Sequence, residues 1–274
     1  MLKSRPFKRF FAFGCSFTNY HWAMWPEIVH KELGEDVEFH NLGYCGAGNQ
    51  YIAHQMYVAN ETYHFGSDDL VMVCWSSAFR NDWYINSNWT LEGNAMFPGE
   101  YNAQLDIKLQ DLNHYTIRDA SIIARAVKFL ENSDCVSHHL AMINNFVNDD
   151  QDHGYIEQQI LDHPECKPYV DYLKDRISMS FWDAGYDVDY NKKLWYPMPV
   201  EIRDDHPLPN TSMEYLSRVL DYDFSKTTKK TVNDHHDKLW EIILEFNDDY
   251  INHHSSHHLY QRMLDRYPDF NQLS

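Results

Sequence analysis

Positive charge is scarce in this chain. Lys and Arg number 23 against 41 Asp and Glu, a formal charge of −18 over 274 residues. Nucleic acid and anionic membrane surfaces are both gripped through basic patches, so neither is an expected partner. Long hydrophobic runs are also missing. The apolar stretch from Phe10 to Phe17 is about half of the ~20 residues that a spanning helix needs. Lys3, Arg5, Lys8 and Arg9 imitate the start of a signal peptide, but no small-residue cleavage pattern follows. The stretch therefore reads as a first strand and the setting as cytoplasmic. Cysteine is sparse and odd in number, five in all, which predicts reduced thiols and no disulfide framework. Internal repeats and low-complexity linkers are absent too. Aromatics are plentiful, with 15 Phe, 8 Trp and 19 Tyr, and 43% of residues are hydrophobic. That composition excludes disorder and suits one large domain, or one domain with an appendage.

The first third alternates strand-like and helix-like segments. Phe10–Phe13 is a short apolar run that breaks at Gly14. Pro26 opens a helix with Trp25, Ile28, Val29 and Leu33 at helical spacing, and Gly34 stops it. Val37–Leu42 reads as a second strand. A second helix starts near Asn49, with Ile52, Met56, Ala59 and Tyr63 on one side. Leu70–Trp75 is uninterruptedly apolar, as expected of a strand covered on both faces. This order predicts a three-layer α/β fold, a parallel sheet with helices on both faces.

Further on, the pattern predicts a helix over about 118–132, a strand over about 135–144, and helical stretches around 156–161 and 168–177. Thr211-Ser212-Met213-Glu214 matches a capping box and predicts a helix from Thr211. Two amphipathic helices follow, over about 231–246 and 256–267. The resulting organisation is an α/β domain over 1–221, with surface insertions at about 83–115 and 148–195. A C-terminal helical extension over 222–274 packs on the same domain.

In open α/β sheets, ligands bind beyond the carboxyl ends of the strands. Gly14-Cys15-Ser16-Phe17-Thr18, the glycine-rich Asn41–Asn49 segment and Ser76–Asp82 fall at those ends. Ser16 follows a buried strand at a glycine, so its hydroxyl can stand at the sheet rim as a nucleophile. A serine hydroxyl needs a base. His206 is selected among 17 histidines because its loop precedes a helix, Pro207 stiffens it and Asp204 lies two residues back. Residues i and i+2 of an extended segment face one way, so Asp204 can orient the imidazole. Backbone N–H groups of Ser16 and Gly46 are the expected oxyanion donors, with a side-chain amide from Asn49 or Asn81.

These residues resemble the SGNH (GDSL-like) hydrolase superfamily. Gly14-Cys15-Ser16-Phe17-Thr18 is similar to its first block, with cysteine where aspartate usually stands. Asn41, Gly43 and Gly46 match its N-x-G-x-x-G block, and Asp204-x-His206-Pro207 is similar to its last block. The combination looks like a branch found in phages and marine bacteria. The resemblance implies an SGNH/flavodoxin-like fold, a Ser16–Asp204–His206 triad and Gly46 as an oxyanion glycine. Two registers fit the third block. One puts Ala78 at the position of the family's oxyanion asparagine; the other, with three residues inserted, makes Asn81-Asp82 the match. The common aspartate spacing in the last block falls on Arg203, one residue before Asp204. The G-x-S-x-G elbow of the α/β-hydrolases is absent.

The activity so implied is hydrolysis of small acyl esters, chiefly acetyl, with an acylated carbohydrate as partner and no cofactor. The alternatives are a non-catalytic glycan-binding or structural module, which if phage-derived would be virion-associated or released, and acyl transfer by the same residues. Trp83 and Tyr84 lead a group of aromatics, with Trp89, Tyr101, Trp182, Tyr186, Tyr190, Trp195 and Tyr196, that either lines a saccharide cleft or packs the insertions. Cys15, Cys45 and Cys74 lack the paired spacing of structural zinc, and His254 and His258, four apart, read as part of a solvated turn. No metal is expected.

Overall fold

The computed structural model describes residues 2, 6–78, 80–94, 112–143, 161–181, 206–248, 265–266 and 272–273. The chain divides into two compact units. One comprises Pro6–Asn19 and Asp36–Asp183; the other comprises Met1–Arg5, Tyr20–Glu35 and Ala184–Ser274.

The first unit is built on a five-stranded parallel sheet. Its strands are β1 (Arg9–Phe13), β2 (Glu38–Asn41), β3 (Asp69–Trp75), β6 (Val136–Ala141) and β7 (Ile177–Ser180). Their order is β2-β1-β3-β6-β7, and every neighbouring pair is parallel. All seven residues of β3 are buried, so both faces of the sheet are covered. This is the helix-flanked α/β sheet that the sequence pattern predicts. Helices α2 (Asn49–Tyr63), α3 (Leu112–Glu131) and α4 (Lys167–Leu173) belong to this unit, with α3 packed between α2 and α4. Ile52, Met56 and Ala59 of α2 are buried at helical spacing, as their pattern requires.

Two elements differ from the sequence reading. Residues 80–94, expected as irregular surface from Trp83 on, form an antiparallel hairpin of β4 (Arg80–Ile85) and β5 (Asn88–Asn94). Asn86 and Ser87 turn it with positive φ values of 51° and 65°, chemistry that Asn and Ser tolerate but that gives no glycine signal. Residues 177–180, expected to lie in a surface insertion just where a helix ends at Ile177, instead form β7 at the edge of the main sheet. Only Ser180 of its four residues is buried, so an edge strand this short carries almost no apolar run to read.

The second unit contains α1 (Trp25–Leu33), α5 (Pro209–Val219) and α6 (Lys226–Asp248), and both α5 and α6 pack on α1. Glu32 ties them together. Its carboxylate accepts from the Tyr222 hydroxyl at 2.8 Å, the Ser225 N–H at 3.1 Å and the Thr228 hydroxyl at 2.6 Å. Helix α5 begins at Pro209, two residues before the predicted Thr211. Proline fixes φ for the first helical turn and lacks the N–H that a cap would satisfy. Leu208 is the cap residue and makes no side-chain cap, so the capping-box match at Thr211 carries no structural role. The sequence-predicted helix over 256–267 and the His253–His258 cluster lie outside the described residues, apart from Asp265 and Arg266.

Buried histidines give the first unit a pH-dependent stability. Neither ring nitrogen of His139 on β6 has a hydrogen-bond partner, and its ring stacks 6.1 Å from Trp75. Burial pushes its pKa down to about 3 and that of His138 to about 4. Both values lie below the ordinary 6.5, so the stabilisation is complete above pH 6.5 and drains as pH falls toward the folded values. Asp119 works in the opposite sense. Burial raises its pKa from 3.8 to about 6, so it favours folding as pH drops through 6. From pH 7 to pH 5 the two histidines lose roughly 4 kcal/mol and Asp119 offsets about 1. A urea midpoint clearly lower at pH 5 than at pH 7 is the expected result, and His139→Phe should halve the histidine contribution. A pH-independent midpoint would contradict it.

Candidate functional site

The sheet reverses direction of winding between β1 and β3, and the crevice of such a sheet opens at the carboxyl ends of those strands. Three segments meet there: the turn after β1, the loop from β2 to α2, and the segment from β3 to β4. All three belong to the first unit.

The turn after β1 is tight. The N–H groups of Thr18 and Asn19 both donate to the Cys15 carbonyl, at 2.9 and 3.1 Å. Gly14 must be glycine, because a Cβ there would stand 1.9 Å from the Thr18 hydroxyl oxygen and 3.0 Å from the Cys74 carbonyl. Ser16 sits within this turn at 6% exposure. Among the described residues neither its hydroxyl nor its N–H makes a hydrogen bond.

The second loop is stapled to the first. Tyr44 N–H donates to the Gly14 carbonyl at 3.0 Å, and the Asn19 amide donates to the Gly43 carbonyl at 3.0 Å. Asn41 does both jobs at once: its Nδ2 donates 3.0 Å to the Thr18 carbonyl while its Oδ1 accepts from Gly43 N–H at 3.1 Å. A Cβ on Gly43 would lie 2.8 Å from the Thr18 side chain, so these loops touch backbone against side chain. Gly46 follows with φ +80°, a left-handed conformation that glycine adopts without strain. Its N–H, like that of Ser16, is unengaged among the described residues.

The third segment supports the second. Helix α2 starts after Gly48, which has no side chain to cap it. Asp82, on β4, supplies the cap: its carboxylate accepts from Gly48 N–H at 2.7 Å and from Tyr51 N–H at 2.8 Å. Burial raises the Asp82 pKa, opposed by those same two hydrogen bonds. Replacing Asp82 by Ala should cost about 1–2 kcal/mol. Thermal denaturation tests it, and an unchanged melting temperature would contradict this capping role.

The predicted side-chain amides are used elsewhere. Asn49 is fully buried and donates both amide hydrogens, to the Ser76 carbonyl at 3.0 Å and to Asp119 at 2.7 Å. It also accepts from Ser76 N–H at 2.8 Å. Asn49 is therefore a brace between α2, the end of β3 and α3, with no hydrogen left for an oxyanion. Asn81 donates to the Tyr115 hydroxyl at 2.9 Å and accepts from Arg118 at 2.6 Å. Arg118, which the sequence pattern places only at the start of a helix, is the hub here. Its guanidinium donates to Asp119 at 2.6 Å, to Asn81 and to the Arg80 carbonyl at 2.7 Å.

Trp83 and Tyr84 lie on β4, 38% and 64% exposed. Tyr84 begins an aromatic chain that sequence reasoning did not assemble. It meets Trp89 at 5.5 Å between ring centroids, Trp89 meets Tyr51 at 5.4 Å, and Tyr51 meets Tyr44 at 5.9 Å. The chain thus runs from the hairpin to the loop that carries Gly46. The hairpin is what joins these residues, and its turn gave no signal. Trp182, Tyr186, Tyr190, Trp195, Tyr196 and Tyr101 lie outside the described residues.

The Cys15 and Cys74 thiols lie close enough to interact, and Cys45 stands apart from them at the surface. Cys15 and Cys74 are buried and Cys45 is exposed. The Cys15 thiol rests 3.6 Å from the Met142 sulfur, and burial holds the Cys74 thiol well above its ordinary pKa, so Cys74 is a poor nucleophile. Among the described residues no three His, Cys, Asp or Glu side chains gather as metal ligands would.

His206 belongs to the second unit and Asp204 lies outside the described residues. The imidazole is stacked on Tyr20, with centroids 3.6 Å apart and planes 17° apart. The indole N–H of Trp22 donates to the Pro207 carbonyl at 2.9 Å. Those contacts fix the ring plane and the backbone beside it.

No protein-family model matches the chain, and no curated protein sequence matches it. Among solved structures, it is similar to a member of the lipolytic protein G-D-S-L family from Veillonella parvula DSM 2008. That likeness has 11% identity, 78% of this chain, 96% of that chain and a TM-score of 0.40. It is also similar to a G-D-S-L family protein from Desulfitobacterium hafniense DCB-2, at 15% identity over 77% of this chain and 99% of that chain, with a TM-score of 0.40.

Proposed function

We propose that the protein is a serine esterase that hydrolyses small acyl esters, acetyl above all, carried on a carbohydrate. The observation that supports this most is the state of the turn after β1. A serine hydroxyl and its own N–H are both without partners, stapled to a loop whose Gly46 N–H is also open. Polar groups at a nearly buried position ordinarily find partners, so open donors at the carboxyl end of a central strand are candidates for holding a ligand.

In this reading Ser16 Oγ attacks the ester carbonyl and His206 takes the proton. The carbonyl oxygen becomes an oxyanion held by the Ser16 and Gly46 N–H groups. His206, oriented by Asp204 and by its stack on Tyr20, then protonates the leaving alcohol. A water molecule, deprotonated by the same imidazole, releases the acid. Tyr84, Trp83 and the aromatics behind them offer faces on which sugar rings stack.

The test is turnover of 4-nitrophenyl acetate and of acetylated xylo-oligosaccharides by the purified protein, alongside mass spectrometry after a fluorophosphonate. Acetate release and a single adduct on the peptide containing Ser16 are expected. Neither release nor adduct would replace this reading with a non-catalytic, glycan-binding module.

A further inference from the structure

Arg80 makes no ion pair among the described residues, although the Asp82 carboxylate feels its charge. No carboxylate among the described residues lies within ion-pair distance of its guanidinium. Its Nε is buried and has no hydrogen-bond partner. One terminal nitrogen donates to the Ala47 carbonyl at 3.1 Å, and the other reaches only the Met142 sulfur, at 3.8 Å. A thioether is a weak acceptor, so most of the donor capacity of this guanidinium is unmet. Asp82, two residues on, is occupied in capping α2. Arg118 makes the contrast: its donors go to Asp119, Asn81 and the Arg80 carbonyl.

The position of this unmet charge is specific. Ala47 directly follows Gly46. Met142, the other contact, touches the Cys15 thiol at 3.6 Å, and Cys15 directly precedes Ser16. The guanidinium therefore touches the loop that carries Gly46 directly, and the turn that carries Ser16 through Met142. A partly buried arginine with an unsatisfied donor is costly unless an anion compensates it, and the fork of a guanidinium suits an oxyanion or carboxylate.

We propose that Arg80 is the cationic member of the oxyanion site. In this role it stabilises the negative charge that forms beside the Ser16 and Gly46 N–H groups, in place of a side-chain amide. The proposal rests on the esterase reading for its chemistry, but the anion site it describes exists without turnover. The charge is also local: it sets one cationic spot in a strongly acidic chain and gives the site affinity for the carboxylate product.

Two measurements separate the proposals. In the first, Arg80→Gln should lower kcat on 4-nitrophenyl acetate about a hundredfold with KM nearly unchanged, Arg80→Lys should fall between, and millimolar guanidinium should restore part of the activity of Arg80→Ala. In the second, acetate binding is followed by NMR titration in a Ser16→Ala background. Adding Arg80→Gln should weaken it at least about tenfold. Active Arg80→Gln within threefold of the parent, with acetate binding unchanged, would overturn the role of Arg80 and leave the esterase standing. Acetate binding that depends on Arg80 in a protein that never turns over would do the reverse. Should Arg80→Gln fail to fold, guanidinium rescue of Arg80→Ala and the kcat of Arg80→Lys decide; a folded Arg80→Ala that guanidinium does not rescue would count against it.

Discussion

Ser16→Ala is expected to lower kcat/KM for acetyl esters by at least about a thousandfold, leaving the melting temperature where it was. The two halves of that result have separate causes. The loss in rate follows from removing the atom that forms the acyl-enzyme. What remains would be the contribution of the open N–H groups, which act on any nucleophile, water included. The unchanged stability follows from the contacts. The Ser16 hydroxyl makes no hydrogen bond among the described residues, so its loss breaks none. Initial rates and a thermal melt on the same preparations measure both. A Ser16→Ala variant that retains full activity removes Ser16 from the chemistry, whatever its fold.

The second large effect is on stability. Arg118→Ala should destabilise the first unit by about 3–5 kcal/mol, the cost of stranding a buried charge. Asp119 is fully buried, and the Arg118 guanidinium is the group that most opposes its desolvation. The same substitution leaves Asn81 Oδ1 and the Arg80 carbonyl without their donor. A fall of more than about 1 M in the urea midpoint is expected. Combining Arg118→Ala with Asp119→Asn should recover part of that loss, because an amide carries no charge to strand. A midpoint within about 0.3 M of the parent would show that the hub does not hold the site.

How far the sequence reaches depends on what each element buries. Leu70–Trp75 is legible because a strand covered on both faces must be apolar throughout, and every residue of β3 is buried. The helix from Trp25 to Leu33 is legible because Pro26 and Gly34 punctuate it. The hairpin over 80–94 is not, since Trp83, Tyr84 and Ile85 are exposed in succession, so β4 shows no alternation there, and its turn uses Asn86 and Ser87. Around the proposed site, Gly14 and Gly46 are legible because the backbone there demands glycine, and glycine is visible in a sequence. Arg80, Arg118 and Asp82 are not, because their roles come from tertiary partners. Asn49 shows the converse. Its position beside a glycine-rich loop suggested a catalytic donor, whereas Ser76 and Asp119 consume its amide.

The proposed nucleophile and base, Ser16 and His206, stand 190 positions apart, each held in its own compact unit. The most direct measurement is a crystal structure of the protein after reaction with a small fluorophosphonate. The expected result is a bond from Ser16 Oγ to phosphorus, with the phosphonyl oxygen taking the N–H groups of Ser16 and Gly46 and the His206 imidazole within hydrogen-bond reach of Oγ. An adduct on another residue, or an imidazole turned away from a modified Ser16, would contradict it.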